Sequence, residues 1–446
     1  MFHTHAKYLL LVLFITGGIH LSAQTTTASS TTNSSNPLSE RENDPYSKFG
    51  IGELWNGNNT VLRGMGNITS AFENPFEVNS DNPASYSFLQ RTTFEAGAMG
   101  STRTVASGGQ SYTTGTATIA YLNLGIPINK NAGMCLGFRP YSRVYYNLLD
   151  SITSPIGSVE RMYNGDGGLN YAYIGAAGKY KGLSVGFNLG YMFGTLRSTT
   201  ATVPIDSVIA YSAQYTNYDH IGGLYWKGGL MYERKIDSDY TFRIGGTATI
   251  QQNLTEHLTA SQISSYNFGD TIVNITQAYD SNKKGDLTLP LTYSIGAMIG
   301  KTDKWDIGID YTATQWSSFH SAPDNTLNLG IASKSSKISL GGEYTPNINS
   351  IHNYFSRVTY RFGAYYGTDY IAPLSTPTQP NSTTLPYYGL TAGASLPFRR
   401  SLSHLHFALD VGRLGMTSNN LVQETYIRFT LGISFNDKWF IPRKYE

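Results

Sequence analysis

From Thr92 onward the chain alternates hydrophobic and polar positions with a period of two, in segments separated by turn residues. The last segment shows it best. Across Thr425–Phe435, Ile427, Phe429, Leu431, Ile433 and Phe435 share one face, and Tyr426, Arg428, Thr430, Gly432 and Ser434 share the other. One face suits hydrocarbon and the other a polar interior. The same pattern places Leu183, Val185, Phe187, Leu189, Tyr191 and Phe193 opposite Ser184, Gly186, Asn188 and Gly190. Such segments fall at 92–100, 115–126, 132–146, 169–180, 182–197, 223–235, 239–253, 285–300, 303–316, 336–346, 355–367, 386–397, 403–414 and 423–435. That is about fourteen, and an even number is what bacterial transmembrane barrels have. The stretches 206–218 and 326–333 extend neighbouring strands or form loop hairpins. A soluble β-sandwich also alternates, but seldom over runs this long. The expected fold is therefore all-β: an antiparallel transmembrane β-barrel over 91–435.

The connections test this independently. Short ones (Pro127–Asn131, Lys179–Lys181, Lys235–Asp239, Lys301–Asp303, Phe398–Arg400) alternate with long ones (147–168, 198–222, 254–284, 317–335, 368–385). Outer-membrane barrels have short periplasmic turns and longer extracellular loops, which puts both ends of this barrel in the periplasm. Trp226, Tyr240, Trp305, Trp316 and Tyr366 lie near strand ends, where interfacial aromatic girdles sit.

Residues 1–23 read as a secretory signal: Lys7, a short apolar core from Tyr8 to Ile15, and Leu21-Ser22-Ala23 before Gln24. The apolar core is well short of the roughly 20 residues a spanning helix needs. Residues 24–44 are rich in Ser, Thr and Asn and read as a disordered periplasmic tether. Residues 436–446 form a periplasmic tail with Arg443 and Lys444.

Composition agrees with this picture. Charged residues are 14% of the 446, against about 25% in ordinary soluble domains. Tyr and Gly are abundant, at 33 and 46, as strands that face lipid and a polar lumen require. A net charge of +2 gives no reason to propose nucleic acid as a partner. The single cysteine, Cys135, excludes disulfide frameworks and zinc ribbons.

Residues 45–90 do not alternate. They contain Leu62-Arg63-Gly64-Met65-Gly66 and Asn82-Pro83-Ala84-Ser85-Tyr86, and are too apolar and too rich in Gly and Pro for a disordered tail. A compact insert held by side chains inside the barrel accounts for them. The Arg-Gly-Met-Gly stretch, the Asn-Pro-Ala that follows and the barrel after them together resemble the FadL family of outer-membrane barrels. Gly341-Gly342-Glu343-Tyr344-Thr345-Pro346 and the ending Phe435-Asn436-Asp437-Lys438-Trp439-Phe440 look like its Bacteroidota branch. The resemblance covers roughly 45–440. It implies transport of long-chain fatty acids or other hydrophobic compounds, and an N-terminal hatch carrying Arg63, Gly64, Gly66, Asn82, Pro83 and Ala84. It also implies a kinked third strand that opens the wall sideways.

In this chain the third strand carries Pro140 after Phe138 and Arg139. Proline cannot donate to the ladder, so it marks a break in pairing: a lateral opening, or a bulge with no passage. Pro290 is a weaker second position of the same kind. The alternation phase sends Arg139, Arg143, Arg243, Arg357, Arg361 and Arg428 into the lumen, with Glu95, Asp306, Asp310, Glu343 and Asp410. These arginines either hold a lipid carboxylate or phosphate, or pair with the acids and with hatch carbonyls. The second is favoured, because buried charges need partners in any plugged barrel. His404 and His406 with Asp410 make a poor metal set, and no nucleophile elbow or phosphate loop is present. No enzyme, metal or cofactor is expected.

Two functions fit. One is a passive outer-membrane channel that captures a hydrophobic small molecule or lipid and releases it sideways. The other is a subunit of a larger outer-membrane machine, of the secretion or barrel-assembly kind, with other envelope proteins as partners.

Overall fold

The computed structural model describes residues 43–438 apart from 56–57, 155–156, 206–210, 269–270, 276–280, 374–383 and 418–420. The expected signal segment, most of the expected tether, and the tail from 439 lie outside the described residues.

The N-terminal segment holds a two-residue strand, β1 (Glu53–Leu54). The chain then runs through β2 (Thr92–Ser107), β3 (Gln110–Asn129), β4 (Ala132–Ser154), β5 (Gly157–Tyr180), β6 (Leu183–Pro204), β7 (Tyr211–Lys235), β8 (Tyr240–Thr249), β9 (Gln252–Phe268), β10 (Thr271–Ile275) and β11 (Ser281–Leu289). It continues through β12 (Thr292–Lys301), β13 (Trp305–Thr314), β14 (His320–Ser321), β15 (Ser335–Tyr344), β16 (Thr359–Thr368), β17 (Pro386–Pro397), β18 (His404–Gly415) and β19 (Gln423–Asp437). β19 closes on β2 from Asp437↔Thr92 to Gln423↔Ala106. The wall consists of β2–β8, β12, β13 and β15–β19, which makes fourteen strands in a closed antiparallel barrel. We call the end carrying Thr92 and Asp437 the lower end.

The period-two pattern settles which face is which. Phe429, Leu189 and Phe242 are 48%, 41% and 37% exposed on the outer surface, whereas Ser184, Asn188 and Arg243 are buried. Closure pairs the strand edges around the wall except along the upper part of β3 and β4, and such pairing is what lets strands cross a bilayer without unsatisfied backbone groups.

Three expectations need correction. The upper connections at 147–168 and 198–222 are largely strand, not loop. β4 pairs with β5 up to Ser154↔Gly157, and β6 pairs with β7 through Thr202↔Ala213. Above the bilayer both faces meet water, so the alternation fades while the ladder continues. At the lower end, 345–358 is one long connection, and the segment expected to begin at 355 begins only at Thr359. The connection contains a 3₁₀ turn at Phe355–Arg357, so Arg357 lies outside the lumen. Finally, Trp316 belongs to no girdle. It is buried and stacks on Tyr370 at 4.1 Å.

Pro290 also acquires a role. With Leu291 it separates β11 from β12, and the ladder changes partners there. β11 pairs with β9 and β14, while β12 pairs with β8 and β13. Removing one N–H at this point spares the ladder a donor where the partners of β11 and β12 diverge.

Candidate functional site: the plugged lumen and the break in its wall

The third wall strand contains a real discontinuity. β3 and β4 pair from Asn129↔Ala132 up to Leu122↔Phe138, and no further. Above that level β3 keeps its pairing with β2, and β4 keeps its pairing with β5 after a register shift between Pro140 and Ser142. Proline withholds the N–H that would extend the β3 ladder. The one-residue shift changes the phase of β4, so Arg143 does not point into the central lumen as the alternation predicts. It spans the break instead: its Nη2 donates to Thr116 Oγ1 on β3 at 3.1 Å, and its guanidinium lies over the Trp55 ring.

The exposed edge of β4 is covered by the chain's own N-terminal segment. Glu53 and Leu54 pair with Arg143 and Ser142. Trp55 N donates to Tyr141 O at 2.9 Å, and Asp44 N donates to Tyr145 O at 2.8 Å. Tyr145 N donates to Ser47 Oγ at 3.0 Å, and Asn147 N to Asn43 Oδ1 at 3.0 Å. Residues 43–55 thus act as a strap on an edge that would otherwise carry unpaired backbone groups. A cavity of ≈ 300 Å³ remains beside the break, lined by Trp55, Thr118, Pro140, Arg143 and the glycines of β5 and β6.

Charge pairs fix the strap in place. Arg103 of β2 is 2% exposed and meets Asp44, Glu53 at 2.7 Å and Glu424 at 2.9 Å. Arg428 reaches Glu53 from β19. Burial alone would raise the Glu53 carboxyl, but Arg103 and Arg428 pull it down to about 2. Because the folded value lies below the ordinary 4.5, the stability this group supplies is complete above pH 4.5 and drains away as pH falls towards 2. Amide exchange of residues 43–55, corrected for intrinsic rates, is therefore expected to accelerate between those limits while the wall strands stay protected. Unchanged protection of the strap at the lower pH would contradict the assignment.

The rest of the segment fills the lumen. Asn59 caps the single helical turn Thr60–Arg63 by accepting from Leu62 N, and Arg63 Nε donates to Asn58 O. Gly66 N donates to Thr391 Oγ1, whose hydroxyl donates back to Gly64 O at 3.1 Å. Asn82 caps the 3₁₀ turn Pro83–Phe88 through Ala84 N, while its Nδ2 donates to Leu230 O of β7 at 3.2 Å. Glycines of the wall strands allow this segment to approach closely. A side chain on Gly186 would strike the Pro83–Ala84 backbone, and one on Gly245 would strike Ser70 O.

Acids of the N-terminal segment and cations of the wall interlock. Asp81 accepts from Arg139 at 3.0 Å and Lys227 at 3.1 Å. Burial opposes the Asp81 charge, but the two cations hold its carboxyl well below the usual range. Arg243 joins Glu73 at 2.8 Å and also Asp306. Arg361 joins Glu343 at 2.8 Å and lies 3.8 Å from Glu77. Asp310 accepts from Ser70 N at 2.9 Å, and Glu95 from Val78 N at 2.8 Å. Asp410 accepts from Tyr365 at 2.6 Å. His406 sits between Ser395 and Ser434, within hydrogen-bond distance of both. The sequence reading missed Arg103, Asp44, Glu53, Glu73, Glu77, Asp81 and Lys227. Extending the β2 alternation three residues past Gly100 would have found Arg103.

Above the hatch lies a cavity of ≈ 270 Å³ whose lining includes Tyr141, Tyr225, Lys337, Asp410 and Tyr426. Its lining is rich in hydroxyls and charges. Above it, Trp316, Phe319, Tyr370 and Leu385 from the upper connections join Tyr46 and Ile51 of the strap in one apolar core. Tyr46 is held there by Val422, whose N donates to its hydroxyl at 3.0 Å.

Comparisons place this architecture. A FadL homologue from Pseudomonas aeruginosa superposes with a TM-score of 0.54 at 13% identity, covering 87% of this chain and 99% of that one. The P. putida toluene transporter TodX superposes at 0.53 with 16% identity, covering 87% and 99%. The fold is thus that of the FadL-like outer-membrane barrels. Among curated proteins, none matches. The family model described as BamG matches residues 8–446, and the chain belongs to the BamG family.

Proposed function

We propose that this protein is a closed, FadL-folded subunit of a larger outer-membrane machine of the secretion or barrel-assembly kind, in a bacterium of the Bacteroidota type. The observation that carries this reading is the strap. The β4 edge left open where the β3–β4 ladder ends at Leu122↔Phe138 is already hydrogen-bonded to residues 43–55 of the same chain. A transporter of apolar ligands gains from an apolar pocket and a free exit, because binding sites for such ligands are lined mainly by hydrophobic side chains. Here the cavity lining mixes charges and hydroxyls with aromatic rings, an apolar core sits above it, and the exit is covered. Membership of the BamG family supports the same reading. The tether before Asn43 and the basic tail around Arg443 and Lys444 would then be periplasmic contacts for other envelope proteins. On this reading the protein catalyses no reaction and carries no cofactor.

The second reading is a passive channel for hydrophobic small molecules or lipids, with lateral release at Phe138 and Pro140. The break in the wall and the cavity beside it favour this reading, as does the likeness to a fold that includes a toluene transporter. Quantitative mass spectrometry of the tagged full chain, extracted from its native membranes, separates the two. The subunit reading expects other envelope proteins at near-equal stoichiometry, and no uptake of radiolabelled oleate or toluene into proteoliposomes. Isolation as a lone barrel that accelerates uptake would transfer the assignment to the channel.

A further inference from the structure

The lower end carries a feature that neither reading uses. The connection 345–358 folds against the turn 398–403, and Tyr354 Oη donates to Pro397 O at 3.1 Å. Between them is a cavity of ≈ 490 Å³. Arg357, Arg399 and Arg400 line it, together with His352, and no Asp or Glu does. Among the described residues none of these three arginines forms an ion pair, and Arg357 Nε is buried without a partner. Arg399 and Arg400 are exposed and Arg357 is half-buried beside the Tyr354 ring, so the cavity gathers three cations with no acid in its lining, an arrangement that suits an anion.

The lip of the cavity is apolar. Ile351 is 92% exposed, Phe355 is 68% exposed, and Ile348 is half exposed beside them. Such side chains crowded at the tip of a connection mark a contact with something apolar. Their position says what it is. Phe355 O accepts from Tyr360 Oη at 3.2 Å, and Tyr360 pairs with Tyr344 on the outer face of the wall. Tyrosines at that level form an interfacial girdle, where aromatic rings meet lipid headgroups.

We propose that residues 345–358 and 398–403 form a binding site for one phospholipid of the leaflet at the lower end. Arg357, Arg399 and Arg400 hold its phosphate, and Ile348, Ile351 and Phe355 dip among its acyl chains. Guanidinium groups suit this ligand because their N–H forks match phosphate oxygens. The site fixes the depth and rotation of the barrel in that leaflet. It needs no passenger and no partner protein, so it stands or falls separately from the proposed function.

The full chain tests this in two measurements. Cys135 is fully buried, so Ile351→Cys offers a single accessible thiol for a spin label. In liposomes of phosphatidylethanolamine and phosphatidylglycerol, the label is expected to be relaxed by oxygen and shielded from a water-soluble nickel chelate. Native mass spectrometry with added phosphatidylglycerol is expected to show one retained lipid. The Arg357→Gln/Arg399→Gln variant should lose it at least tenfold, with barrel heat-modifiability unchanged. If that variant fails to fold, Arg399→Gln alone, in an exposed turn, provides the same reading. A label reached by the nickel chelate would overturn the proposal and mark the lip as a protein-docking surface. Lipid retention indifferent to the arginine substitutions would overturn the phosphate assignment.

Discussion

Arg103→Leu is expected to detach the strap from the wall. The guanidinium stands among Asp44, Glu53 and Glu424, all partly or wholly buried, and it serves both the strap and β19. Breaking a buried ion pair from one side costs about 3–5 kcal/mol, because the remaining charge is left in a poor solvent. Here three carboxylates lose one shared cation. Arg428 still faces Glu53, but Asp44 and Glu424 have no such substitute among the ion pairs described. The carboxyls are therefore expected to take up protons, and the edge hydrogen bonds of 43–55 to exchange hundreds of times faster. The wall ladders should keep their protection, since they do not depend on this residue. A companion variant, Arg103→Leu with Asp44→Asn and Glu424→Leu, tests the cause. It removes the stranded charges, so it should recover most of the protection. If the single variant exchanges at the wild-type rate, the strap is held by its backbone alone.

The second large effect concerns the hatch. Gly186→Val with Gly245→Val is expected to unseat it while the barrel still inserts. At both positions an added side chain meets hatch backbone, which cannot rotate aside. Overpacking costs about 1–3 kcal/mol at a yielding site, and backbone yields less than side chains do. The two positions lie on β6 and β8 and press on different parts of the segment, Pro83–Ala84 and Ser70, so their costs add. The variant should melt earlier and become sensitive to proteolysis within 60–90. Gly100→Val is the control. An added Cβ there meets nothing nearer than Thr116 O at 3.9 Å, and its effect should be small.

Much of this was legible in the sequence, for a physical reason. A barrel repeats one rule, lipid on one side and polar lumen on the other, so period two alone gave fourteen strands and the phase of Arg139, Arg243, Arg361 and Arg428. Pro140 marked the place where the β3–β4 ladder stops, because a missing N–H is a local property of one residue. What failed was non-local or lay outside the bilayer. Arg357 was put in the lumen because Arg357 and Val358 continue the β16 alternation by one period, and nothing in the pattern says where a strand ends. Arg143 was misphased because a single-residue shift at Pro140 flips every side chain beyond it. The strap left no alternating signal at all. Its fit depends on pairing Glu53–Leu54 with Arg143 and Ser142, and no local pattern announces a partner about ninety residues away.

The account rests on a barrel closed by its own N-terminal segment. Planar-bilayer recording of the purified full chain tests that most directly. With the strap on β4 and the hatch seated against the wall, the inserted protein should pass no steady ionic current, and removal of residues 43–91 should open a large, ohmic pore. Steady conductance from the intact chain, equal to that of the truncated one, would mean that the lumen is open and that these contacts do not close it.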